Sequence, residues 1–157
     1  MLRRRLLDEN QLEAVVSLPA GCFRPYTGVS TAILVFTKGG RTDRVFFGDV
    51  QSDGYSLDDK REKLGPADDF GDLGRCIAEW RAWTANRDPS AFAERSRLGF
   101  VIAADEIRSR GHDLSITQYK SVSFRDREDD PPERILDDLR KLEAEAMTLR
   151  QHMESWR

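Results

Sequence analysis

Apolar residues fall in short blocks along this chain, and the period of each block names an element. Leu2, Leu6 and Leu7 stand at helical spacing with Arg3, Arg4 and Arg5 between them, so the chain opens in a helix that Asp8-Glu9-Asn10 ends. Leu12 to Leu18 carries Val15 and Val16 and stops at Pro19, the pattern of a strand, because β-branched side chains suit a pleat and proline lacks the N–H a ladder needs. Thr31 to Thr37 is apolar at consecutive positions, which predicts a strand covered on both faces. Followed by the turn Lys38-Gly39-Gly40-Arg41-Thr42-Asp43 and a strand from Arg44 to Val50, it predicts a β-hairpin.

Gln51 to Asp69 is polar, carries the breakers Gly54, Gly65 and Pro66, and reads as a surface excursion. An amphipathic helix follows over about Asp72 to Asn86, its apolar face made by Leu73, Ile77, Trp80 and Trp83. Phe100-Val101-Ile102 is extended, Ala104 to Arg110 is a short helix that Gly111 ends, and Tyr119 to Phe124 is a further extended piece. In the last block Ile135, Leu139, Leu142, Ala146, Leu149, Met153 and Trp156 alternate in steps of four and three, the seam of a heptad repeat. Asp130 caps this helix, Pro131 suits its first turn and Glu133 completes a capping box. The seam packs either on its own chain or on a partner helix.

One connection does not fit the rest. The segment from Pro19 to Ser30 is longer than the roughly 2 to 5 residues of a hairpin loop, and it carries Phe23 and Tyr26. Aromatics there either plug the end of the core or meet a flat ligand.

Composition narrows the function. The 157 residues carry a formal net charge of -3, which argues against bulk electrostatic grip on nucleic acid and disfavours a free-standing DNA-binding protein. Cys22 and Cys76 are the only cysteines and His112 and His152 the only histidines, so no metal-ligand spacing is present. There is no apolar signal segment at the start, and the run from Ala32 to Phe36 is far shorter than the roughly 20 residues of a membrane span. A reduced, cytoplasmic setting is expected, with no membrane.

Four phrases carry a resemblance. They are Leu18-Pro19-Ala20-Gly21-Cys22-Phe23, Tyr26-Thr27-Gly28-Val29-Ser30-Thr31-Ala32-Ile33-Leu34-Val35-Phe36, Asp53-Gly54-Tyr55-Ser56-Leu57-Asp58-Asp59-Lys60-Arg61 and Asp113-Leu114-Ser115-Ile116-Thr117-Gln118-Tyr119-Lys120. In this order they resemble the C-terminal portion of the modification subunit of type I restriction-modification systems, an N6-adenine DNA methyltransferase. His112 stands where the family usually shows an aromatic, and Cys22 replaces a common aliphatic. The resemblance implies an α/β fold, the C-terminal part of a class I (Rossmann-like) methyltransferase sheet. Leu12 to Leu18 takes the fifth strand and the hairpin the last two, followed by helices and a C-terminal coiled-coil-like helix. The corresponding segments are 1–58, 59–125 and 126–157.

The same resemblance implies that S-adenosylmethionine and a catalytic Asn-Pro-Pro-Phe or -Tyr belong to the complete family enzyme and not to this chain, which is then a fragment inactive alone. Asp130-Pro131-Pro132-Glu133 has the letters of an Asp-Pro-Pro-Tyr catalytic motif but lacks its aromatic and starts a helix, and Phe70-Gly71-Asp72-Leu73-Gly74 has no strand feeding it as a cofactor loop would. In the family, an aromatic at the place of Phe23 stacks on a flipped adenine, so Phe23, Tyr26, Thr27 and Gly28 are the implied base-binding residues. Ile135, Leu139, Leu142, Leu149, Met153 and Trp156 are the implied contact with a DNA-specificity subunit, double-stranded DNA being the partner of the complete enzyme. A non-enzymatic assembly module docking through that helix is the alternative. Self-association of the isolated chain is expected through the helix or through an unpaired edge on Leu12 to Leu18.

Overall fold

The computed structural model describes residues 1–121, nearly all of the first of two units, Met1–Val122 and Ser123–Arg157. The heptad helix with its cap at Asp130, and the end of the last extended piece, lie outside the described residues. The elements are α1 (Leu2–Asp8), β1 (Gln11–Leu18), β2 (Thr31–Thr37), β3 (Arg44–Asp49), α2 (Asp72–Asn86), β4 (Gly99–Ala103) and α3 (Ala104–Ser109). Short 3-10 turns occupy Ser90–Phe92 and Ile116–Gln118.

The four strands form one sheet in the order β2-β1-β3-β4, with β1 antiparallel to β2 and parallel to β3, and β3 antiparallel to β4. This corrects the expected hairpin, since β1 lies between β2 and β3. The reason is in the connection. Thr42, 1% exposed, accepts the Leu12 N–H through Oγ1 at 2.8 Å and donates the same hydroxyl to the Asn10 carbonyl at 2.8 Å. Gln11 donates its N–H to the Gly39 carbonyl at 2.9 Å, and Gly39 donates to Asn10 Oδ1 at 3.0 Å. The turn therefore wraps the start of β1 and delivers the chain to its other side. A parallel neighbour results.

Two further expectations change with it. β1 is paired on both edges, so it offers no open edge, and among the described residues the outer strands are β2 and β4. β2 is not covered on both faces: Ile33, Leu34 and Phe36 are all exposed. β4 pairs antiparallel with β3.

Each face of the sheet carries its own core. Leu12, Val15, Val45, Phe47, Phe100 and Ile102 point to one side, where Leu7 of α1, Ile107 of α3 and Tyr119 cover them. Phe47 stacks on Phe100 with ring centroids 5.8 Å apart and meets Tyr119 at 5.1 Å. Tyr119, expected to be extended, instead closes the Ile116–Gln118 turn and is buried. Ala14, Leu18, Phe46 and Val101 point to the other side, under Cys76 and Trp83 of α2 and Phe92. α2 has the expected span, but its buried line runs through Leu73, Cys76, Trp80 and Trp83, while Ile77 is 40% exposed. The helix has turned by about one residue, because Gly48 of β3 leaves a hollow that the Cys76 sulfur fills.

Candidate functional site

β1 and β3 are parallel, so their C-terminal ends, Leu18 and Asp49, share one rim of the sheet. That rim is where open α/β sheets place their ligands, because the connecting loops converge there. Two segments leave it: the loop from Pro19 to Ser30 and the excursion from Val50 to Gly71.

The loop is built by its own backbone and braced by the excursion. Arg24 donates its N–H to the Gly21 carbonyl at 3.1 Å and Thr27 to the Phe23 carbonyl at 3.0 Å, which gives two tight turns. Gly21 sits at φ +96°, and a Cβ there would lie 2.6 Å from the Leu57 carbonyl oxygen. Only glycine permits both that torsion and that approach. Arg24 Nη1 donates to Asp59 Oδ1 at 3.0 Å, and the Cys22 thiol faces the Asp53 carboxylate.

Asp53 is the centre of this brace. It pairs with the Arg61 guanidinium and accepts the Tyr55 N–H at 3.2 Å. Burial opposes its ionisation, yet Arg61, the Cys22 thiol and the Tyr55 N–H together outweigh burial and hold the carboxyl below the usual range. Burial, reinforced by Asp53, pushes the Cys22 thiol up to about 11, so the sulfur is protonated at neutral pH and is no nucleophile. Asp49, 6% exposed at the end of β3, holds Lys120 and accepts Gln51 Nε2 at 2.6 Å.

On this frame the two aromatics point away from the core. Phe23 is 49% exposed and Tyr26 92%, so neither plugs the end of the sheet. Thr27 is half-buried and Gly28 exposed, and all four implied base-binding residues share the one loop. The implied partner-binding residues from Ile135 to Trp156 lie outside the described residues. The brace through Cys22, Asp53, Arg61, Arg24 and Asp59 was not read from the sequence, where 51–69 is a mere surface excursion. Its signal was the charged phrase Asp53 to Arg61, whose polar pattern does not say what it pairs with.

The remaining candidates resolve simply. Gly71 precedes α2 and donates its N–H to Asp69 Oδ1 at 2.8 Å, with loop rather than strand before it. His112 is half-buried and lies 3.1 Å from Asp8 Oδ2 through Nε2. Among the described residues, no group of His, Cys, Asp and Glu is placed to hold a metal ion, and no helix is long and apolar enough to cross a membrane.

The N-6 DNA Methylase family pattern matches residues 1–129. The type I restriction enzyme EcoEI methylase subunit of Escherichia coli is 31% identical over 116 residues, which are 73% of this chain and 22% of that protein. A solved structure from work on complex assembly and conformational transition of the type I R-M system aligns with a TM-score of 0.53 and 26% identity over 98% of this chain and 31% of its own. The methyltransferase subunit of a type I restriction-modification system from Streptococcus thermophilus shares the fold, with a TM-score of 0.50, 22% identity, and coverage of 76% of this chain and 22% of its own. The chain thus spans about a fifth of the curated relative it matches. With its sheet, its loop phrase and its excursion matched in one continuous stretch, this chain belongs to the N-6 DNA methylase family, alongside the methyltransferase subunits of type I restriction-modification systems.

Proposed function

We propose that this chain is the C-terminal part of a type I N6-adenine DNA methyltransferase subunit and that its loop supplies one wall of the pocket for an adenine turned out of double-stranded DNA. Phe23 stacks on the base, Tyr26 borders it, and Thr27 and Gly28 let the backbone come close. S-adenosylmethionine and the catalytic tetrapeptide come from the rest of such a subunit, so the isolated chain does not methylate. The sheet then forms the end of a class I methyltransferase sheet, with 1–58, 59–125 and 126–157 as its strand-bearing, mixed and helical segments. The helix docks on a DNA-specificity subunit through Ile135, Leu139, Leu142, Leu149, Met153 and Trp156. The isolated chain self-associates, and the setting is cytoplasmic.

The observation that supports the pocket reading is the exposure of Phe23 and Tyr26 on a braced loop at the rim of β1 and β3. Exposed aromatic rings cost solvation unless something covers them, and a base stack returns about 1 to 3 kcal/mol. The test is a fluorescence titration of a single-stranded oligonucleotide carrying 2-aminopurine with the isolated chain. A saturable change that disappears in Phe23→Ala is expected. An identical response from the variant would remove Phe23 from the pocket.

A further inference from the structure

We propose that Asp53 and Arg61 are positioning residues for Phe23, and that the excursion from Val50 to Gly71 is a rigid support setting the loop on either side of that ring. This deepens the pocket reading put forward above and rests on it. Three points of the excursion meet the loop, and all three land within two residues of Phe23. The Leu57 carbonyl closes on Gly21, the Asp53 carboxylate faces the Cys22 thiol, and Asp59 accepts Arg24 Nη1 at 3.0 Å. Phe23 itself stays 49% exposed. With the backbone fixed before and after it, the ring keeps little freedom beyond its own side-chain torsions, and it can meet a flat ligand at low entropic cost.

The support is stiffer than a surface connection needs to be. It folds back on itself where Tyr55 bridges Lys63, with Ser56 donating its N–H to the Glu62 carbonyl at 2.8 Å and Leu64 to the Gly54 carbonyl at 2.9 Å. The Lys63 ammonium lies over both the Tyr55 and the Phe70 ring, 4.6 and 4.5 Å from their centroids. Arg61 holds a left-handed backbone at φ +52°, a conformation that favours glycine, so its side chain is kept there at a conformational cost. What the guanidinium does is grip Asp53 and donate Nη1 to the Ser56 carbonyl at 2.8 Å. The paired side chains are largely withdrawn from water, 19% and 12% exposed, and a pair so placed contributes geometry more than net stability. The hydrogen bonds of Arg61 go to Asp53 and Ser56 and none to the loop, so its influence on Phe23 passes through Asp53.

The test joins amide hydrogen exchange of the intact chain to the 2-aminopurine titration. Asp53→Asn keeps the shape of the side chain and removes its charge, while Arg61→Gln removes the partner without touching the loop. In both variants the Arg24 and Thr27 amides, which close the two turns around Phe23, should exchange about tenfold faster while amides of β1 and β3 keep their protection. A general loss of stability would speed all of them alike. Affinity for the oligonucleotide should fall about tenfold in either variant, the size of one base stack, and should fall no further when either change is added to Phe23→Ala. Unaltered protection of the two turns overturns the proposal. So does a loss that reaches β1 and β3 equally in both variants, a loop that loosens while affinity holds, or a loss of affinity that adds to that of Phe23→Ala. If the unaltered chain and Phe23→Ala respond alike to the oligonucleotide, the pocket reading falls, and exchange at Arg24 and Thr27 by itself decides whether the pair sets the loop.

Discussion

Gly48 and Gly99 face each other across β3 and β4, and neither position has room for a methyl group. A Cβ on Gly48 would collide with the Cys76 sulfur, and one on Gly99 would lie 2.5 Å from the Phe46 ring. Phe46 is fully buried and sits edge-on to Phe92 with centroids 6.1 Å apart, so it has nowhere to retreat. Gly48→Ala and Gly99→Ala are each expected to cost about 1 to 3 kcal/mol, the ordinary range for overpacking, measured by urea denaturation. Phe23 is the opposite case. Its ring is half in water, so Phe23→Ala should change stability by no more than about 0.5 kcal/mol, against about 3 to 5 for a buried phenylalanine. A loss in the upper range would show that the loop plugs the core after all.

At the scale of elements, the chain is held at one corner by ion pairs on α3. Glu106 accepts from Arg95 Nη1 at 2.8 Å and Nη2 at 2.6 Å, a bidentate pair joining the segment before β4 to the helix after it. The Arg95 hydrogen bonds outweigh burial and hold the Glu106 carboxyl below its usual range. A carboxylate whose folded pKa is depressed contributes stability above its unfolded value and loses it as pH falls through the folded one. The contribution of this pair is therefore full at neutral pH and fades below the unfolded glutamate value of about 4.3. Because both side chains are about a third exposed or less, a value near 1 kcal/mol is expected. Thermal melts from pH 7 down to pH 3 should show a shallower acid-side decline in Glu106→Gln than in the unaltered chain. Equal slopes would assign the pair no net stabilisation. A similar staple joins α1 to the end of α3, where Asp8 accepts Arg108 Nε at 2.9 Å and faces His112. Arg108 above all holds the Asp8 carboxyl low.

For the whole molecule, among the described residues no side chain of β2 is fully buried, and the chain spans about a fifth of the curated relative it matches. On the proposed reading, isothermal calorimetry should detect no saturable binding of S-adenosylmethionine by the isolated chain. Binding in the micromolar range would mean that the described rim, with its braced loop and the Asp49–Lys120 pair, holds the cofactor unaided, and the division of labour proposed above would fail.

Local periodicity determined the elements. The ends of α2, the strand character of β1 and β2, the short helix α3 and the loop with its two aromatics all follow from spacing, proline and glycine positions within a few residues of each other. The family could also be read, because its phrases are contiguous. Tertiary structure alone decided which strands pair, since the Thr42 hydroxyl bridges Asn10 and Leu12 from about thirty residues away and carries β3 past β1. It also decided that α2 buries Cys76 rather than Ile77, where the hollow at Gly48 lies, and that Phe23 and Tyr26 face outward. Thr31 to Thr37 reads as an interior strand and, among the described residues, stands at an edge. A period reports what one stretch of chain requires of its surroundings. Only the arrival of distant segments determines whether that requirement is met, and among the described residues none arrives at the outer edge of β2.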